Sequence, residues 1–427
     1  MGVFHQLFSQ DKHINTLLEQ IKKGEADQQL ITGLTGGARP AFLNALFLET
    51  NKPIYVLSPN LLQAQKLADD LASLIGEESV FYYPADEFIA ADMTIASPEL
   101  RAGRIATLDH LARGTAGIYV LPIAGMRKYI TSKKQWVLNF LQATVGEEID
   151  MDSWLAQLVA MGYTRNGMVT APGEFAARGG ILDIYPPYAE SPLRIELFDT
   201  EVDSIRSFDA DTQRSIEKLD SVRILPAVEI LLSTEERIKV AERLEEALAN
   251  SLKKVKKPEI QELLVQNIQY DIAMLREGNL PDHVNKYGSL LFEDKTFLGD
   301  YFAQDGIVLF DELGRIQEVM DAWEREETEW FLSLIEEGKM LHDVKLSFSF
   351  KEITSMIRQQ KLYLALFTRT FANIRFSKTS NFSCKPMQQF HGQIALLQNE
   401  IERWKHEKFT VLFTANGKER LEQMQGL

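Results

Sequence analysis

Cysteine is almost missing: Cys384 is the only one among 427 residues. One thiol can build neither an internal disulfide nor a cysteine-based zinc site, and such usage fits a reducing cytoplasm. Long apolar runs are missing too. No stretch approaches about 18 uninterrupted apolar residues, so no membrane span is expected. The opening MGVFHQLFSQDKHINTLLEQ lacks the basic segment, apolar run and small-residue cleavage site of a secretory leader. Positive charge is short: 46 Lys and Arg face 61 Asp and Glu, a net charge of −15. Binding a phosphate backbone draws on counterion release by Lys and Arg. The balance argues against autonomous, tight nucleic-acid binding and leaves a protein partner open. The seven histidines are scattered, none paired with carboxylates at a metal-ligand spacing, and no Ser/His/Asp or Cys/His arrangement stands out.

What is present is ordinary globular composition, 45% apolar and 25% charged, over a length that suggests two to four domains at roughly 150 residues each. The first part alternates short apolar runs with helical patterns. QQLITGLTGG reads as strand then tight loop, and PIYVLSPN as a strand before a helix capped by Asn60 and stopped at Gly76. SVFYYPADEF supplies a short strand, Ser97-Pro98 opens a helix ending at Gly114, and GIYVLP closes the set. Repeated strand–helix–strand units imply a mostly parallel sheet with helices on both faces. The grammar then changes. One helix, SWLAQLVAMG, read as capped by Asp152, precedes GGILDIYPP, LRIELFD, VDSIRSFD and VRILP, which imply an antiparallel sheet. Helices return near residue 233, and GIVLFDEL is a strand before a long charged helix.

The expected fold is therefore α/β. A degenerate P-loop-like parallel-sheet domain (1–128, resumed over 226–345) carries an inserted α+β antiparallel-sheet domain (129–225). A small C-terminal α/β domain (346–427) follows, built from KLYLALFT, QIALLQNEIERWKHEK and FTVLFTANGKERLEQM. It reads as a truncated unit.

GLTGGARPAF sits between a strand and a helix, where a phosphate loop belongs. A working loop reads G-x-x-x-x-G-K-[ST], its amides cradling phosphate, its Lys reaching the β/γ-phosphates and its hydroxyl holding Mg²⁺. From Gly33 through Gly36, the second Gly becomes Ala38, the Lys becomes Arg39 and the hydroxyl residue becomes Pro40. Proline removes an anion donor and the metal ligand together. GIVLFDEL ends in Asp311-Glu312, as a Walker-B-like strand requires; the plainer reading is two solvated carboxylates favouring the dipole of the next helix.

In LRIELFD the pleat sends Leu193, Ile195 and Leu197 to a core face and Arg194, Glu196 and Phe198 to the other. Arg178 precedes Gly179 and Gly180, which permit a bulge or sharp bend, and Arg165 follows the helix. The plain reading is a solvated face of Arg–Glu pairs. The sharper one is a docking face, because arginine with an aromatic is the usual hot-spot composition.

GEFAARGGILDIYPP, LRIELFDTEVDSIRSFDADTQRS and RILPAVE, in this order and spacing, resemble the UvrB-type damage-recognition fold. They resemble more closely the N-terminal module of the bacterial transcription-repair coupling factors (the Mfd family). FHGQIALLQNEIERWKHEKFTVLF is similar to the domain that follows this module. The resemblance covers nearly the whole chain. Ala38, Arg39 and Pro40 depart from UvrB, and the short acidic PADEFIAADM between Phe81 and Arg101 does not resemble UvrB's aromatic DNA-clamping hairpin.

The resemblance implies a UvrA-binding insertion. Arg165, Arg178, Arg194 and Glu196 fall on matching polar positions, joined by Phe175 and Phe198; Ala176 stands where UvrB can have another Arg. It further implies no cofactor and no catalysis in this stretch. ATP, Mg²⁺, DNA and RNA polymerase would be engaged only by a C-terminal motor part, with a C-terminal domain masking the UvrA face. The implied role is recruitment of UvrA to stalled polymerase for nucleotide excision repair. Two alternatives stay open: an ATP-dependent nucleic-acid remodeller using Gly33–Arg39 with Asp311-Glu312, and a structural lid on a downstream motor.

Overall fold

A computed structural model describes residues 11–25, 28–85, 97–281, 283–368, 371, 374–385, 387–388, 390, 392–411, 413 and 422. PADEFIAADM and FTVLFTANGKERLEQM both fall mostly outside the described residues.

The chain opens with helix α1 (Lys12–Lys22) and strand β1 (Gln28–Thr32), then α2 (Ala38–Thr50), β2 (Ile54–Ser58) and α3 (Leu61–Ile75). Strand β3 (Val80–Tyr82), helix α4 (Pro98–Arg113) and β4 (Ile118–Pro122) complete the first run. The punctuation is chemical. Asn60 accepts the Gln63 amide at the start of α3, and Gly114, at φ 68°, ends α4 in the left-handed region.

The second region holds β5 (Leu141–Thr144), α5 (Met151–Ala160), β6 (Thr164–Arg165), β7 (Glu174–Arg178), β8 (Ile181–Ile184), β9 (Leu193–Phe198), β10 (Glu201–Phe208), β11 (Ser215–Leu219) and β12 (Ser221–Ile224). Six of these strands form one sheet in the order β11-β10-β9-β8-β7-β6, antiparallel except for the short β6–β7 pair, while β12 pairs with β5. The cap of α5 is Asp150, not Asp152, which lies in the first turn, where its charge still favours the helix dipole.

Helices α6 (Thr234–Lys254) and α7 (Pro258–Arg276) follow, then β13 (Ile307–Asp311), α8 (Leu313–Glu336), α9 (Phe350–Met356), β14 (Gln360–Ala365), β15 (Lys378–Asn381) and α10 (Ile394–His406). Strands from both ends of the chain build one seven-stranded parallel sheet, order β15-β1-β14-β13-β2-β4-β3. Every residue of β2 and β13 is buried, as expected of strands covered on both faces. Alternation divides them: Tyr55 and Leu57 enter one layer, Ile54 and Val56 the other.

Three expectations change. KLYLA does not open a separate C-terminal unit: β14 lies between β1 and β13 in the central sheet. The insertion begins near residue 141 and not at 129, since Tyr129, Ile130 and Trp136 pack into the main core. And much of 226–345 is a helical pair with its own core, Leu244, Leu248, Leu264 and Ile268 among its members. Among the described residues, no helix is long and apolar enough to cross a membrane.

Candidate functional site

Two groups of arginines and carboxylates stand out. The first closes the altered phosphate loop at the C-terminal end of β1. Gly33, at φ 82°, lets the chain after β15 come so close that a Cβ would lie 1.8 Å from the Phe382 carbonyl oxygen. That approach is bonded: the Phe382 amide donates to the Thr32 carbonyl at 2.8 Å, and Thr35 Oγ1 donates to the Cys384 carbonyl at 3.3 Å. Gly36 turns at φ 52°. Pro40 is buried in the first turn of α2, where its missing N–H costs nothing to the helix.

Arg39 bridges the site. Its Nε donates to the Leu34 carbonyl at 3.1 Å, its Nη1 lies 3.0 Å from Asp311 Oδ1 off the hydrogen-bond line, and its Nη2 donates to Glu312 Oε1. Asp311 is therefore not the solvated strand-end acid of the plain reading; it is buried. Burial pushes its carboxyl up to about 6, opposed by the Arg39 guanidinium and reinforced by neighbouring Glu312. One guanidinium thus serves the two acids that a Walker-B-like strand would turn to Mg²⁺. A metal–nucleotide complex does not fit the residues present: it would have to displace Arg39, with no hydroxyl at Pro40 to receive it.

The second group lies on the outer face of the six-stranded sheet. Strand β9 alternates as its sequence requires. Leu193, Ile195 and Leu197 join the core with Phe175, Leu182 and Ile184, and Arg194, Glu196 and Phe198 point outward. Across the pairing, Asp183 on β8 faces Arg194, and Ser204 on β10 faces Glu196. Arg194 Nε and Nη2 donate to the two Asp183 oxygens at 2.6 and 2.9 Å. The guanidinium sits 4.6 Å from the Phe208 ring centroid. The Asp183 hydrogen bond raises the Arg194 pKa above its already high ordinary value. Glu196 accepts from Arg206 Nη2 and, at 2.8 Å, from Ser204 Oγ. Arg206 stands directly across from Arg194, and that like-charge pair is relieved because each arginine turns to its own acid.

Arg178 is looser. It ends β7 at a hairpin whose two turn residues are glycines: Gly179 supplies φ 59°, and a Cβ on Gly180 would come 2.8 Å from the Leu197 carbonyl oxygen. Its guanidinium is 3.8 Å from Asp183 Oδ2, and its side chain is 56% exposed. Arg165, also exposed, makes no ion pair among the described residues. Phe198, beside the tight turn at Asp199, is 80% exposed, and Ile181, across from Glu196, is partly so.

The structure thus brings Arg178, Arg194, Glu196 and Phe198 onto one face; Arg165, exposed on the edge strand β6, pairs with Phe175 and so has the opposite parity from Arg178. Phe175 is a correction. Its ring is fully buried in the module's core, because it has the opposite pleat parity from Arg178, so it presents no side chain to a partner. Ala176 is also buried, across from Asp183. Asp183 and Arg206 were not anticipated. The signal existed: a lone acid inside ILDI and a cation in DSIRSF, both at outward parity beside Arg194 and Glu196.

With this geometry in hand, the comparisons with known proteins assign a class. A family model described as the UvrB interaction domain matches residues 141–229, the span over which β5 to β12 form their own core. The chain is a homologue of the transcription-repair-coupling factors. It is 44% identical over 97% of its length to that of Bacillus subtilis (strain 168), covering 35% of that protein. It is 32% identical over its whole length to that of Staphylococcus aureus (strain bovine RF122 / ET3-1), covering 36% of it. The chain spans about a third of the length of the curated relatives it matches.

Proposed function

We propose that this chain docks UvrA through the outer face of the 141–229 module and so serves transcription-coupled nucleotide excision repair. The observation that carries the reading is a coincidence. The domain matched as a UvrB interaction domain is the one that exposes Arg178, Phe198 and Ile181 on one sheet face of an otherwise acidic chain. Exposed arginine with an exposed ring is hot-spot chemistry. The complementary surface is acidic, with an apolar cup for Phe198. Arg194 and Glu196 serve the face as framework, their charges answered within the sheet.

The same reading makes the phosphate loop a closed structural joint, so this stretch neither binds nor hydrolyses ATP. Motor activity, contact with RNA polymerase or DNA, and a masking domain would belong to parts of the coupling factors beyond the third matched here. Calorimetry of the chain with Bacillus subtilis UvrA at low salt tests the docking. Association that weakens at least tenfold in Arg178→Glu supports it; no association, or association indifferent to that reversal, refutes it. Titration with ATP and Mg²⁺ tests the joint: binding by the wild-type chain would instead favour the nucleotide-dependent enzyme.

A further inference from the structure

We propose that Asp183 is the positioning residue of this face: its buried carboxylate fixes Arg194 as framework and holds Arg178 in place as the cation a partner's carboxylate collects. The proposal rests on the docking function above. Asp183 is 2% exposed in a strand otherwise made of Ile181, Leu182 and Ile184. A carboxylate withdrawn from water in this way is costly unless paired and hydrogen-bonded. Arg194 meets that need with a bidentate fork, and Gln213 Oε1 accepts from its Nη2 at 3.2 Å. Both carboxylate oxygens are then engaged, and Arg178 is left at 3.8 Å, beyond hydrogen-bond range.

Two cations therefore share one anion, and the surplus charge is the exposed one. An incoming carboxylate can meet Arg178 on its solvent side and leave the loose contact with Asp183 in place, a contact worth about 0–1 kcal/mol at most. At Arg194 it would have to break a desolvated fork. Asp183 thus decides which arginine is free and where it points. Without its charge, the two guanidiniums repel each other with no anchor between them, and Arg178 loses its aim.

A double-mutant cycle on UvrA affinity tests this, using Asp183→Asn, Arg178→Ala and the pair, at a temperature where unfolding curves show each variant folded. In the wild-type background Arg178→Ala should weaken binding about tenfold, and in the Asp183→Asn background by less than about twofold. A residue that only stabilises the fold would give additive effects, and additivity overturns the proposal. So does Asp183→Asn binding as tightly as wild type. If Asp183→Asn does not fold, Asp183→Glu replaces it: it keeps the charge but displaces it by one methylene, and an undiminished Arg178 effect there likewise overturns the proposal. Failure of the wild-type chain to bind UvrA would show as no signal in any arm; it refutes the docking function and this proposal together, and so is distinguishable from additivity.

Discussion

The two arginine–carboxylate groups use the same chemistry with opposite stoichiometry and exposure. In the loop group, one arginine answers two acids at the end of a buried strand, and no cation is left over. On the sheet face, two arginines share one acid, and the surplus guanidinium is in solvent. The first arrangement closes a site; the second leaves an offer to a partner. Counting cations against acids, with burial, separates a closed ion cluster from one with an available cation where residue type alone does not.

Breaking the joint should have the largest effect. Arg39→Ala strands Asp311 and Glu312 without their counter-charge and should cost about 3–5 kcal/mol in urea unfolding; a change below about 1 kcal/mol would deny the joint its structural role. Arg194→Ala should come next, at about 2–3 kcal/mol, because Asp183 loses its fork and keeps only the loose Arg178 contact.

The pH response sharpens the contrast. Asp311 has an ordinary pKa of 3.8 and is raised to about 6 in the fold. Between those values the folded chain holds a proton that the unfolded chain has released, so Asp311's contribution to stability falls as pH rises through the window. Asp311→Asn should gain stability relative to wild type from pH 4 to 6 and level off above about 6. A pH-independent difference would contradict the burial argument. The smallest stability effect belongs to the surface: Phe198→Ala should shift unfolding by no more than about 0.5 kcal/mol, while weakening UvrA binding in calorimetry.

Much of this was legible in the sequence. Asn60, Gly76, Pro98 and Gly114 mark helix ends by local chemistry, and the parity of LRIELFD divides core from surface without knowledge of the neighbours. Parity would also have placed Phe175 inside, had it been carried back from Arg178 along EFAAR. What was hidden was pairing between distant segments. KLYLA reads as a buried strand, but nothing local says that it inserts between β1 and β13. Arg39 likewise reads as a spoiled lysine. Its contact with Glu312, 273 positions away, exists only once β13 is laid beside β14 and β14 beside β1. Asp183 became visible as a hub only when the register set it across from Arg194.

The central claim, that the face holds one framework arginine and one available arginine, is tested most directly by measuring stability and UvrA affinity together for Arg178→Ala and Arg194→Ala. The account predicts that Arg178→Ala keeps the unfolding midpoint and loses about tenfold in affinity, whereas Arg194→Ala lowers the midpoint. An Arg178→Ala chain that binds UvrA as tightly as wild type would contradict it.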